Sequence, residues 1–195
     1  MKREILQYPD ERLRLVSQPV EKFTPELQTL IQDMIETMID AHGIGLAAPQ
    51  IGVQQRVVVI ARSIIEEIER MENEEIQTMG EELDSEEESL IEEKESPLEC
   101  LVIVNPTLTC SGDIITYQEG CLSVPEYREF VERYSNVTLS AYDGEGNPYT
   151  LDASGLLAVC IQHELDHLEG KLFIDRLSYL KRSLYHNKIT KRYKR

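Results

Sequence analysis

Two histidines and a glutamate near the C-terminal end are the residues best suited to chemistry. His163 and His167 are spaced four residues apart, and Glu164 follows the first histidine directly. On a helix this spacing places both imidazoles on one face, about one turn apart, so they can hold a single metal ion while the carboxylate lies beside it. The H-E-x-x-H arrangement therefore predicts two nitrogen ligands and an adjacent group that can move protons.

A surface helix that carries two histidines by coincidence is the alternative interpretation. The residues upstream of His163 are apolar, which indicates a buried helix: Leu156, Leu157, Val159, Cys160 and Ile161. Unpaired polar groups in a buried helix are costly, so a His-Glu-His cluster there needs partners. These flanking residues favour a metal site.

The helix by itself does not identify the third metal ligand. One metalloprotease pattern places a third histidine where this chain has Phe173, and another takes a downstream glutamate, but no glutamate follows Glu169. Asp175 and His186 remain as downstream candidates. An upstream ligand is favoured, and Cys121 is a candidate because it lies between a glycine and a leucine at a predicted strand end, where its thiol could face a cleft.

Length and composition favour one domain over residues 1–195. The sequence has no apolar run long enough to span a membrane and no apolar signal-peptide core at its start, so we expect a cytoplasmic protein whose four cysteines are thiols. Charge is unevenly distributed. Residues 62–99 contain sixteen acidic and three basic residues, a net charge of −13, whereas residues 171–195 contain nine basic and one acidic, a net charge of +8.

These charged stretches lie in a sequence that otherwise shows a clear pattern of helices and strands. The acidic block at about 62–99 is predicted to be an insertion between two strands, helical in its first half and solvated or disordered in its second. A basic helix and tail are predicted at about 176–195. Elsewhere, periodicity and turn residues predict a helix from 25 to 43 with Thr24 as its N-cap, and a helix from about 155 to 170 capped by Asp152 or Ser154. They also predict strands at 56–61, 101–104, 136–142 and 148–151, and further short strands within 107–117 with a turn at 111–113.

Three segments, in order and intact, resemble the motifs of the peptide deformylases. They are GxGxAAxQ at residues 43–50, EGCLS at 119–123 and QHExDHLxG at 162–170. The resemblance covers most of the chain apart from the acidic block and the extreme tail. We expect an α+β fold in which short antiparallel strands pack around a central metal-binding helix, with helices at both ends. The activity implied is metal-dependent hydrolysis of the N-terminal formyl group of formyl-methionyl nascent polypeptides, which releases formate.

The resemblance also implies a set of site residues. Cys121, His163 and His167 would bind one divalent metal, with Fe2+ favoured and Zn2+, Ni2+ or Co2+ as substitutes, and a water would fill the fourth position. Glu164 would move protons, while the Gln50 side-chain amide and the Leu122 backbone N–H would donate to the oxygen on which charge develops. The residues implied in substrate binding are Gly43, Ile44, Gly45, Gly120, Leu156, Val159 and Cys160.

The basic tail also suggests a macromolecular partner. The basic C-terminal tail matches, in position and charge, a helix that can dock on the ribosome in related bacterial enzymes, so ribosome binding is a hypothesis; no membrane or DNA partner is expected. A metallopeptidase of another class and a non-catalytic, ribosome-associated relative of a deformylase are the two alternatives. Cleavage of unformylated peptides would favour the first, and loss of a ligand, Glu164 or Gln50 would favour the second, but all of these residues are present.

Overall fold

The computed structural model describes the backbone of residues 1–78 and 99–193, and the side chains of residues 1–71 and 99–189. Within these residues one antiparallel sheet contains five strands in chain order: β1 (Gly45–Ala47), β2 (Val57–Ala61), β3 (Cys100–Cys121), β4 (Val124–Tyr142) and β5 (Pro148–Ser154). The helices are α1 (Pro25–Asp40), α2 (Arg62–Thr78), α3 (Gly155–Leu168) and α4 (Tyr179–Tyr193). The expected α+β class, with helices at both ends of the chain, is confirmed.

The first helix follows its apolar periodicity. Thr24 occupies the N-cap position and Pro25 the first helical position, as the sequence predicts, and α1 ends at Asp40, just before the predicted glycine. One face of the helix is buried against β1 and β2, and its buried apolar residues are Leu27, Leu30, Ile31, Met34 and Met38. This packing fixes where β1 begins, and β1 carries the first glycine-rich motif.

Two strands are longer than the sequence patterns predict. The sequence predicts a strand end at Asn105 and a turn at residues 111–113, but β3 continues through both places. The pairing of β3 with β4 shifts register at each of them, so they are bulges within one strand. Asn105 has φ of 50° and Gly112 has φ of 77°, a left-handed conformation that turns and bulges share. Local sequence therefore cannot distinguish the two.

The metal-motif helix α3 lies against the sheet. Ala158, Ile161 and Leu168 are fully buried, and they pack in one cluster with residues of β2, β3 and β4. Unlike α1, this helix is enclosed by protein on most of its surface, and eleven of its residues are buried. It therefore carries its histidines and glutamate into the interior, as the apolar flanks predict.

The acidic insertion begins with a helix, α2, that packs on α3. Ile65 is fully buried and Ile68 packs against the same cluster. Glu69 Oε1 accepts a 2.6 Å hydrogen bond from the backbone N–H of Leu156 in the first turn of α3. Of the two predicted caps, Asp152 and Ser154, it is Ser154 that takes the N-cap position, and it makes no side-chain hydrogen bond there. The first half of the insertion thus supports the metal helix, while the expected solvated excursion falls on residues 79–98, outside the described residues.

The C-terminal helix is attached through aromatic packing. Tyr185 and Ile189 of α4 are buried, and Tyr185 stacks on Tyr127 with ring centroids 4.4 Å apart. Tyr8, near the N-terminus, hydrogen-bonds the His186 ring through its hydroxyl at 2.6 Å. None of the helices in the described part of the chain combines the length and the apolar character that a membrane span requires.

The contacts of α2 predict which part of the insertion can be removed. Replacing residues 74–97 with about ten Gly/Ser residues, which reach roughly 30 Å, should preserve the stability of the protein because long surface loops add little closure entropy. Replacing residues 66–96 instead removes Ile68 and Glu69, and should lower the free energy of unfolding by about 2–4 kcal/mol, from the lost cap and the lost burial.

Urea denaturation of the two variants checks this prediction, with the wild-type protein as reference. If both replacements were equally stable, α2 would not support α3 in the way that its contacts indicate.

Candidate metal centre and substrate cleft

The histidines of α3 and the cysteine that ends β3 meet in the interior. One ligand atom from each of Cys121, His163 and His167 lies within 4.8 Å of the others, and the Cys121 Sγ is 3.3 Å from the His167 Nε2. The two imidazole rings cross edge-on with centroids 5.2 Å apart. This is the three-residue group that the sequence resemblance implies, with ligand atoms converging on one point.

The chemistry of the donor set fits a divalent transition metal. A thiolate with two imidazole nitrogens suits Fe2+, Zn2+, Ni2+ and Co2+ better than hard cations such as Mg2+. The His163 Nδ1 pairs with Glu119 Oε2 at 2.7 Å, which leaves Nε2 for a metal. Ligating histidines usually bond a carboxylate or carbonyl through their second nitrogen, because this fixes the orientation of the ring. These residues could therefore hold the metal.

Neither downstream candidate for the third ligand joins this group. Asp175 accepts a hydrogen bond from the backbone N–H of Leu172 at 2.9 Å and is paired with Arg14. His186 lies on α4 and pairs with Tyr8. Among the described residues, Cys121 is the side chain that completes the group with the two histidines. The upstream ligand that the sequence favours is therefore the one that the fold brings to the helix.

Glu164 is buried beside the ligand group without a neutralising partner. Its side chain is enclosed, and its Oε2 has no hydrogen-bond partner among the described residues. Burial disfavours the charged form and raises the pKa of Glu164 to about 7. A carboxyl group with this pKa can both accept and release a proton near neutral pH, which is the property required of a general acid and base.

Two glycines of the first motif allow the backbone to approach the side chains of Glu164 and Leu122 closely. A Cβ atom on Gly45 would lie 2.5 Å from the Glu164 Oε1, and one on Gly43 would lie 2.7 Å from the Leu122 Cδ1. Both distances are shorter than real Cβ contacts allow. The first motif is therefore glycine-rich because its backbone passes directly over Glu164 and Leu122, and this close approach leaves the glutamate reachable from the cleft.

Gln50 is held with its amide nitrogen facing the cysteine. It lies in a short 3-10 helix, Ala48–Ile51, and is almost completely buried. Its Oε1 accepts a 2.7 Å hydrogen bond from the backbone N–H of Ala47, which settles which end of the amide faces inward. Its Nε2 donates to the Ser123 Oγ at 3.2 Å and lies 3.6 Å from the Cys121 Sγ. The orientation suits a donor to an oxygen beside the ligand group.

One cleft of about 1220 Å³ opens onto Glu164, Gln50 and two of the ligands, Cys121 and His163. All seven residues that the sequence implies in substrate binding line it, together with Leu122: Gly43, Ile44, Gly45, Gly120, Leu156, Val159 and Cys160. Further lining residues are not singled out by the sequence: Ile68, Thr116, Tyr117, Gln118, Tyr127, Arg128 and Phe130. Of these, Ile68 comes from the acidic insertion, where only the weak helical spacing of isoleucines hinted at a packed face.

A buried ion-pair network behind the cleft was also not foreseen from the sequence. The fully buried Arg133 forms two hydrogen bonds with Glu119, at 2.6 and 2.9 Å, and one with Asp166 at 2.7 Å. Arg176 donates to both oxygens of Asp166, at 2.6 Å to Oδ2, which also accepts from Arg133, and at 2.7 Å to Oδ1. Burial tends to raise the pKa values of Glu119 and Asp166, but the arginines, with His163 in the case of Glu119, outweigh it and hold both below their usual range.

The family model described as polypeptide deformylase matches residues 2–183. The chain belongs to the polypeptide deformylase family. This membership agrees with the intact motifs and decides against a metallopeptidase of another class.

Solved structures of peptide deformylases are similar over nearly the whole chain. The enzyme from Legionella pneumophila is 42% identical with a TM-score of 0.76, covering 100% of this chain and 96% of its own. The one from Ehrlichia chaffeensis is 34% identical with a TM-score of 0.76, covering 98% and 97%. The one from Synechococcus elongatus, solved with actinonin, is 35% identical with a TM-score of 0.73, covering 95% and 84%. Sequence and fold of this deformylase therefore point to the same family.

The ion-pair network predicts unequal roles for its two arginines. Replacing Arg133 by Met removes both guanidinium hydrogen bonds of the buried Glu119 and one hydrogen bond of Asp166. The free energy of unfolding should therefore fall by about 3–5 kcal/mol. Arg176→Met is the matched control, because Arg176 pairs with the same Asp166 but its side chain is 42% exposed. Arg176→Met should lower the free energy of unfolding by about 1 kcal/mol or less.

Chemical denaturation of both variants, prepared in the same metal state, measures the difference. Equal losses for Arg133→Met and Arg176→Met would contradict a special role for the buried arginine.

Proposed function

We propose that this deformylase removes the formyl group from formyl-methionyl nascent polypeptides in the cleft beside Cys121, His163 and His167, and releases formate. The observation that carries the proposal is the convergence of three separate motifs on one cleft, since Gln50, Cys121 and Glu164 all line it. Such a reaction belongs to protein biosynthesis, and we infer that the enzyme works in the cytoplasm, where nascent chains emerge. Residues 1–195 would form one catalytic domain that contains the insertion at about 62–99.

The metal is proposed to be bound by Cys121, His163 and His167, one ion per chain, with Fe2+ favoured over Zn2+, Ni2+ and Co2+. When bound, a divalent ion lowers the pKa of water and polarises a carbonyl oxygen. The remaining steps belong to the side chains. Glu164 would accept the proton of the attacking water as the new C–O bond forms at the formyl carbon.

The same carboxyl group would then complete the reaction. Negative charge develops on the formyl oxygen, and the Gln50 Nε2 together with the Leu122 backbone N–H would donate hydrogen bonds to it. When the C–N bond breaks, Glu164 would return its proton to the leaving amine, which becomes the free N-terminus, while formate departs. The pKa of about 7 supports both the uptake and the return of that proton.

The substrate is proposed to be a formylated methionyl chain end lying along the first motif. Gly43, Gly45 and Gly120 would allow close approach of the peptide backbone. Ile44, Leu156, Val159 and Cys160 provide apolar surface suited to the methionine side chain. The cleft should also take actinonin, which is bound in the deformylase of Synechococcus elongatus.

Elemental analysis and kinetics of four variants test this assignment. Protein purified without oxygen should contain about one iron per chain. Cys121→Ala, His163→Ala and His167→Ala should each lose metal and activity together. Glu164→Ala should retain its metal and lose about 10²–10⁴-fold in kcat on formyl-Met-Ala-Ser, because proton transfer is removed while the ligands remain.

Circular dichroism of each variant controls for folding. A natively folded Glu164→Ala protein that contains no metal would mean that the carboxylate is itself a ligand, and the assignment would fail.

Ribosome docking through the C-terminal tail is a second proposal, supported by charge. Residues 171–195 carry a net charge of +8 on a chain whose total is −16. Three of the cations are already engaged within the protein: Arg176 pairs with Asp166, Lys181 lies 3.0 Å from Glu129 and Arg182 lies 4.0 Å from Asp175. The other basic residues nearer the terminus are the better candidates for contact with RNA phosphates.

Removing residues 190–195 should weaken co-sedimentation with ribosomes at low salt, and the loss should shrink as salt rises, because phosphate contacts release counterions. This truncation follows Ile189, the last residue known to be buried, so turnover of formyl-Met-Ala-Ser should be unchanged. A full-length control in which Lys191, Arg192, Lys194 and Arg195 are replaced by Gln separates charge from length. Unaltered co-sedimentation of both variants would refute docking by the tail.

A further inference from the structure

An exposed apolar strip begins at the edge of the substrate cleft. It consists of Phe130 and Tyr134 on β4 and Ile114 on β3, and these side chains are 58%, 43% and 54% exposed. In the register of the two strands, Ile114 lies opposite Tyr134 and Gln118 lies opposite Phe130. Residues directly opposite each other or two apart along a strand project from the same face, so the three apolar side chains share one face of the sheet.

The opposite face of the same strands belongs to the protein interior. Val131 and Arg133, which alternate with the strip residues along β4, are almost completely buried. Because exposed and buried residues alternate along β4, the strip residues project from the outer face of the sheet. Polar residues would be expected at such positions in an antiparallel sheet with one solvated face. Between Phe130 and Tyr134 the same face carries the exposed polar pair Glu132 and Thr116, so the apolar surface has two parts, one at Phe130 and one at Ile114 and Tyr134. Large exposed apolar side chains beside a cleft mark a candidate binding surface.

The strip is continuous with the cleft. Phe130, Gln118 and Thr116 line the same cavity as Glu164 and His163. From Phe130 the strip runs away from the ligand group to Tyr134, four residues further along β4, a distance of about 14 Å at 3.4 Å per strand residue. An extended peptide covers the same distance with about four residues, so the strip matches a short stretch of chain that leaves the cleft.

We infer that this strip binds the part of the formylated polypeptide that follows its first three residues, and favours apolar side chains there. The inference rests on the proposed function, because it requires that the formylated chain end occupy the cleft. A polypeptide substrate longer than the cleft continues beyond it, and the strip is an exposed apolar surface that meets the cleft wall at Phe130. Contacts there act on binding and not on the reacting atoms, so they should appear in KM and leave kcat unchanged.

Three formylated peptides and two variants test the inference. The peptides are formyl-Met-Ala-Ser, the same tripeptide extended by Leu-Phe-Leu, and the same tripeptide extended by Ser-Gly-Ser. In the wild-type enzyme the apolar extension should raise kcat/KM about five- to tenfold over the tripeptide, the effect of half-burying one large apolar side chain. The polar extension should leave it within about twofold of the tripeptide, a difference too small for one apolar contact.

The double variant Ile114→Ser/Tyr134→Ser should lose the advantage of the apolar peptide, through KM, and keep the wild-type rate on the tripeptide. Neither residue lines the cleft, and both are exposed, so folding should be unaffected. Tyr142→Ser is the matched control: Tyr142 lies on the same strand and is similarly exposed, at 41%, but it is about 27 Å from Tyr134 by strand spacing. The Tyr142→Ser variant should keep the full wild-type preference for the apolar peptide over the tripeptide.

Two results would overturn the inference: no gain from the apolar extension in the wild-type enzyme, or a gain that persists in the double variant. A wild-type enzyme that forms a dimer, which the double variant abolishes without any change in peptide preference, would assign the strip to a second copy of the chain instead. Failure of all three peptides to be deformylated would count against the proposed function itself, and is therefore distinguishable from failure of the strip.

Discussion

The site depends on the buried pairing of Arg133 with Glu119 and Asp166. These three side chains join β3, β4 and α3, and Glu119 in turn holds the ring of His163. Three charges in the interior would each be costly to desolvate, and they are tolerated only because the planar guanidinium satisfies both carboxylates at once. The network thus fixes the ligand helix against the sheet at the place where Cys121 ends β3. Without it, two strands and a helix would meet with uncompensated negative charge.

The same pairing explains how two glutamates in one site have opposite properties. Glu119 is surrounded by cationic partners, which hold its pKa below the usual range despite burial. Glu164, one residue after His163, has no such partner, and burial raises its pKa to about 7. Environments that separate the pKa values of neighbouring carboxyl groups assign them different roles. One glutamate therefore holds the ring of His163, and the other has the pKa that suits its proposed role in proton transfer.

Elements that look peripheral in the sequence also build the cleft. The insertion supplies Ile68 to its wall and Glu69 to the first turn of α3. The C-terminal helix supports the cleft indirectly, because its Tyr185 stacks on Tyr127, which lines the cleft. The first part of the acidic block and the C-terminal helix are thus both attached to the rest of the protein through a few apolar or capping contacts.

The sequence alone determined the chemistry, because that chemistry is encoded in short spacings. One helical turn places His163 and His167 on the same face, and apolar flanks predict that the helix is buried. It also determined α1, which follows from apolar periodicity, and the class of the fold, which follows from the resemblance of the three motifs to those of the deformylases. It did not reveal the length of β3, because Asn105 and Gly112 adopt the same backbone conformation in a bulge as in a turn. Nor could it show that Arg133 and Glu69 serve the site. Arg133 bonds Glu119, 14 residues away on the neighbouring strand, and Asp166, 33 residues away, while Glu69 bonds Leu156, 87 residues away. Which distant charges and apolar faces meet was decided only by the tertiary structure, where desolvation forces each buried charge to find its partner.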